Sequence, residues 1–192
     1  MQPRSNFSHG SSAERRARRA RLCSEVGIVA VHEAGHTIAH VLLDYPFQYV
    51  TLNPSKRIGC TGRVVYWLAE FPDQDTYPDA FRLVSEQEAM TLLAGAAAEC
   101  ILTGSYSSEG CSSDFEDVAK YLTPLANNVD ELSSYQQWLF YRTLTMLRTN
   151  WEMVARVADT LLALPASKRT LTQTKVKSIC RQVAAEALAS AA

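Results

Sequence analysis

Between Gly27 and Leu43 the chain reads GIVAVHEAGHTIAHVLL, an apolar run that carries His32, Glu33 and His36 at its centre. Ala30, Ala34, Ile38 and Leu42 recur every four residues, and no proline intervenes before Pro46. That pattern predicts one helix over about Leu22–Asp44. It also sets a constraint. Polar groups in so apolar a segment need partners inside the fold.

Four residues make little more than one helical turn, so His32 and His36 project from one face and can converge on one cation. Neutral imidazole suits Zn²⁺. Glu33 lies about 100° around the helix from His32. It stands outside the same coordination sphere but within reach of a water that the metal makes acidic. The order His-Glu-x-x-His therefore encodes two ligands, His32 and His36, and a base, Glu33. Ala34 and Gly35 are small enough to let another element approach. His40 sits about 12 Å along the axis from His32, too far to share its ion, and is expected in the core or at the rim. Ala39 and Leu42 stand where a metzincin helix needs Gly and His, which excludes that pattern.

A catalytic zinc needs a third protein ligand. Two acidic candidates follow. Glu99 lies in the apolar helix LLAGAAAECIL, where a metal or a ligating histidine would be its partner. Asp114 stands at a predicted helix start, where a helix-terminal charge is the ordinary role. Spacing alone does not choose between them.

The remainder of the chain predicts a mainly α (α+β) domain. YVTLNPSKRIGCTGRVVYWLA reads as strands around a turn, and EFPDQDTYPDA as a polar loop. A helix is expected from Ser85, as its cap, to a stop at Gly104. Another is capped by Ser112 or Ser113. A C-terminal helical bundle follows over Val129–Arg148, Trp151–Leu164 and Leu171–Ala189. About six helices and one small sheet result. Residues 1 to about 12 are expected to be disordered. The boundary is placed so that 1–21 form a disordered or basic arm and 22–190 a single domain. The run ERRARRARL is read as the solvated start of a helix rather than a binding patch.

Composition narrows the setting. The net charge of −1 argues against nucleic acid as a partner. Five cysteines, an odd number without CxxC spacing, fit a reduced, cytoplasmic environment. The apolar stretch Met90–Leu102 falls short of a membrane span, so a soluble protein is expected.

Several segments together resemble the peptidase domain of the FtsH family of zinc metalloproteases. AVHEAGHTIAHVLL resembles that family's metal helix, VTLNPSKRIGCTGRVVY its following strands, and LLAGAAAECILTG its small-residue helix. SSEGCSSDFEDVAKYL resembles the loop and helix that carry the third ligand, and NWEMVARVADTLLALPASKRTLTQTKVKSI the C-terminal helices. The likeness spans roughly residues 25–182. It implies a zincin-like fold with Zn²⁺ held by His32, His36 and Asp114. Glu33 would be catalytic, and Glu99 would stand behind the ligands. It further implies an endopeptidase whose partners are polypeptide substrates.

The departures shape that expectation. No GxxxxGK[ST] phosphate loop and no membrane helix occur in the sequence, so the chain by itself is expected to be ATP-independent and to cut flexible or unfolded polypeptides, or to work with a separate unfoldase or membrane-bound partner. The family forms rings, which suggests a homo-oligomer, although the modules that help hold such rings are not in the sequence. A non-catalytic interaction module is the alternative. Substrate would pair along a strand near 60–67, with GRVVYW as a candidate sheet edge, Gly59 and Gly62 allowing close approach, and Tyr66 and Trp67 shaping a pocket. Cys111, three residues before Asp114, offers a thiol that could compete for zinc or respond to oxidation, but is read as a small loop residue.

Overall fold

The computed structural model describes residues 11–54, 61–67 and 70–191. The expected disorder at the N-terminus lies mostly outside these residues, as do Gly59 and the NPSKRIG turn beyond Pro54. The molecule is mainly helical, with one small antiparallel sheet.

Two helices open the described chain, where one long helix from Leu22 was expected. α1 spans Ser12–Leu22 and α2 spans Glu25–Leu42. Ser24 causes the break: its side chain caps the Gly27 amide, a bond that requires extended backbone at Ser24 itself. α1 is closed by a reciprocal capping box between Ser11 and Glu14. The basic arm is thus helical from Ser12 and attached. Arg18 grips Glu152 with both terminal nitrogens at 3.0 Å and also bonds Asp159, and Arg21 pairs with Asp159 as well.

The sheet follows α2. β1 is Phe47–Thr51, β2 is Arg63–Tyr66 and β3 is Thr170–Thr172, in the order β2-β1-β3 with both pairings antiparallel. Val50 faces Val64 on one side and Leu171 on the other. β3 was expected to be the start of a helix. Three residues carry almost no strand signal of their own, and only pairing with β1 makes them one. β2 and β3 are the two outer strands, each bonded on one side to β1 among the described residues.

α3 runs from Pro78 to Thr103, a full two turns longer than expected at its N-terminus. Ser85 is not its cap but a buried interior residue. The start signal was Pro78 in the first turn followed by Asp79. Its end was legible: Gly104 terminates it at φ 95°, a left-handed conformation that glycine adopts without strain. α4 is Ser112–Leu122, and the residue at its cap position is Cys111 rather than Ser112 or Ser113. α5 (Val129–Thr149), α6 (Trp151–Ala163) and α7 (Gln173–Ala191) complete the chain. Among the described residues no helix is long and apolar enough to cross a membrane.

The core forms where α2 crosses α3 and α6. Ala30, Ala34 and Ile38 of α2 meet Ala94, Ala97 and Ala98 of α3 and Val154, Ala158 and Leu161 of α6, all fully buried. Gly35 is the crossing point. A β-carbon there would collide with the Ala94 carbonyl and the Ala98 side chain. Small residues on both helices let the backbones approach, and that approach brings α3 against the histidine face of α2.

Candidate metal centre

His32 and His36 lie on the face of α2 turned toward α3, one turn apart, with ring centroids 4.6 Å apart. Gly95 of α3 backs both rings. A β-carbon on Gly95 would come within 2.5 Å of Nε2 of each histidine. α4 enters from the other side and delivers Asp114 in its first turn.

Three potential ligand atoms then meet. His32 Nε2 and His36 Nε2 are 2.9 Å apart. Asp114 Oδ2 lies 3.2 Å from the first and 3.4 Å from the second. Donors about 2.0–2.1 Å from a tetrahedral zinc stand roughly 3.3 Å from one another. The triangle is close to that size.

The outer ring nitrogens fix the tautomers. His36 Nδ1 is 2.7 Å from the backbone carbonyl of Thr91, which can only accept, so this nitrogen carries the proton. His32 Nδ1 is 2.8 Å from Glu99 Oε1 and donates in the same way. The Ser107 amide donates to the other Glu99 oxygen at 2.9 Å. In the neutral rings both Nε2 atoms therefore present lone pairs to each other and to a carboxylate oxygen. Asp114 Oδ2 is itself buried without a hydrogen-bond partner. Lone pairs crowded in this way call for a cation between them.

The electrostatics agree. Burial alone would push Asp114 up, but the adjacent His36 and His32 hold it well below the usual carboxylate range. Burial also disfavours charge on both rings. Asp114, assisted at His32 by Cys111 and Glu99, nevertheless raises both above the usual imidazole value. The donor set of two imidazoles and a carboxylate, with partners behind the rings, fits zinc.

Glu33 is 6% exposed and packs its carboxylate against Gly62, whose β-carbon position lies 2.7 Å from Glu33 Oε1. Burial raises its pKa, an effect that His36 and His32 oppose and Asp114 reinforces. Glu33 and the three converging residues all line one cavity of about 820 Å³. β2 forms one wall through Arg63, Val64 and Tyr66. Trp67 is exposed and is not part of that wall.

The structure brings together all five residues singled out in the sequence: His32, Glu33, His36, Glu99 and Asp114. It places Glu99 Oε1 against His32 Nδ1 and Asp114 Oδ2 beside Nε2 of both histidines. His40 is buried in the core between Tyr45, Phe47 and Tyr66. Sequence reasoning missed Thr91 and Gly95. A backbone carbonyl has no residue signature, and Gly95 sits in a run of small residues that reads as packing alone. It also underrated Cys111, which is fully buried with Sγ 3.9 Å from His32 Nδ1 and 3.8 Å from Glu99 Oε1.

Compared with protein-family models and with curated proteins, the chain matches none.

Proposed function

We propose that the chain is a zinc-dependent endopeptidase that hydrolyses flexible or unfolded polypeptides, ATP-independent in itself, with a zincin-like HExxH helix of the FtsH-peptidase type. The observation that supports this reading best is the convergence of His32 Nε2, His36 Nε2 and Asp114 Oδ2 beside a buried Glu33 in an open cavity.

His32, His36 and Asp114 would hold the ion. A zinc bound there would acidify a water and polarise the scissile carbonyl. The chain's own residues do the rest. Glu33, its pKa raised by burial, takes the proton of the attacking water and passes it to the leaving amine. Glu99 and the Thr91 carbonyl keep the two rings in the tautomer that leaves Nε2 free. The outer edge of β2 offers backbone groups to an extended peptide, and Gly62, without a side chain, lets the Glu33 carboxylate pack beside that strand.

The test compares wild type with Glu33→Gln for zinc content and for cleavage of unfolded casein. Both proteins should hold one zinc, and the variant should lose activity by about 10²–10⁴-fold. A wild type that holds zinc yet cleaves none of a varied set of unfolded substrates would favour the interaction module. A wild type that holds no zinc removes the basis of the reading.

A further inference from the structure

A second set of ligand atoms stands directly behind the first. His32 Nδ1, Glu99 Oε1 and Cys111 Sγ come from α2, α3 and the cap position of α4. Their separations are 2.8 Å, 3.8 Å and 3.9 Å. In a tetrahedral site with bonds of about 2.0 Å to N and O and about 2.3 Å to S, such donors lie roughly 3.3–3.6 Å apart. Adjustments of about half an ångström suffice. Cys111 is fully buried and Glu99 is 6% exposed, and Ser107 already anchors the second Glu99 oxygen. Glu99, Ser107 and Gly110 line the cavity, which gives an ion a route to this position.

We propose that Cys111, Glu99 and His32 Nδ1 form a second cation site that takes a soft divalent ion, zinc in excess or cadmium, and shares His32 with the first. A thiolate in the donor set selects such ions over magnesium or calcium. Filling the site releases two protons, one from the Cys111 thiol and one from His32 Nδ1. The ring then bridges two ions as an imidazolate, and Glu99 becomes a ligand instead of the acceptor that orients His32. The occupied second site therefore inhibits. Only this inhibition rests on the peptidase reading. The binding itself rests on the three donors alone.

The experiment loads the full chain with one equivalent of zinc and titrates it with Cd²⁺. Bound metal is counted after dialysis, and the thiolate-to-cadmium charge-transfer absorption is followed in the ultraviolet. Wild type should take one more ion per chain than Cys111→Ala and show an absorption band that the variant lacks. Cys111→Ser, closer in shape, serves as the second variant and should behave like Cys111→Ala. In cleavage assays, excess zinc should inhibit wild type at roughly tenfold lower concentration than either variant. Equal ion counts in wild type and both variants, or an unchanged band, would overturn the proposal. A band that appears in wild type and vanishes in the variants while no form cleaves peptide would leave the second site standing and refute the peptidase instead.

Discussion

His32 donates from Nδ1 to Glu99 at 2.8 Å and turns Nε2 to within 3.2 Å of Asp114. One ring thus ties a carboxylate that orients it to a carboxylate that would share its metal. Glu99→Gln keeps the shape but loses the charge and can no longer be relied on to accept. We expect the fold to persist and zinc affinity to fall about 10–100-fold, as is common when the partner behind a ligating histidine is changed. Competition with a chromophoric chelator measures it. An unchanged affinity would mean that Glu99 merely fills space.

Asp114 carries a sharper expectation. Asp114→Ala removes the carboxylate proposed as the third ligand and leaves two histidines facing each other without that counter-charge. The variant should purify without zinc and without peptidase activity while circular dichroism stays helical. Retention of a full equivalent of zinc would exclude Asp114 as a ligand.

Gly95 should behave as a site residue despite its lack of a side chain. In Gly95→Ala the new β-carbon meets both imidazoles at about 2.5 Å. Overpacking of this kind costs roughly 1–3 kcal/mol. The rings must move away from Asp114, so zinc should be lost before stability is. Metal analysis beside a thermal melt tests the order of the two effects. Zinc content equal to wild type would show that the rings are free to shift without harm.

His40 makes stability depend on pH. Burial first, and the neighbouring His36 second, lower its pKa to about 4. The unfolded chain binds a proton near the ordinary 6.5. Between these values the unfolded state holds the extra proton, so stability falls as pH drops from about 6.5 toward 4. The full effect is about 3 kcal/mol, from a shift of some two and a half units at 1.36 kcal/mol each. His40→Leu should lack this component. Chemical denaturation of both proteins at pH 7 and pH 4.5 reads the difference, and parallel losses in the two would contradict it.

Arg18 fastens α1 to α6. It is about one-sixth exposed and meets two carboxylates, Glu152 and Asp159. Arg18→Ala should cost about 1–3 kcal/mol, since its hydrogen bonds to two charged groups are lost, although Arg21 still pairs with Asp159 and Arg156 with Glu152. Limited proteolysis should then cut first around Cys23 and Ser24. A wild-type cleavage pattern would show that α1 is held by its apolar contacts, with Leu22 fully buried.

The helix that carries His32, Glu33 and His36 was legible in the sequence because helical periodicity and a fixed four-residue spacing are local properties. So were Gly104 as a helix stop and the extents of α5 and α6. Ser24, Pro78 and Asp79 held local signals that were read past, and the helix starts were misplaced for that reason. β3 was different. Thr170–Thr172 become a strand only because β1 offers them an edge. Which carboxylate would meet which face of the histidines was also beyond local reading, since Glu99 and Asp114 both looked eligible. The close crossing at Gly35, Ala94 and Ala98 set their places. It sets α3 near enough for Glu99 to meet the outer nitrogen of His32, while α4 brings Asp114 to the inner one. Sequence determines which side chains one helix presents together. Only tertiary packing determines which atoms of distant segments come within bonding distance, because that depends on how closely two backbones can approach.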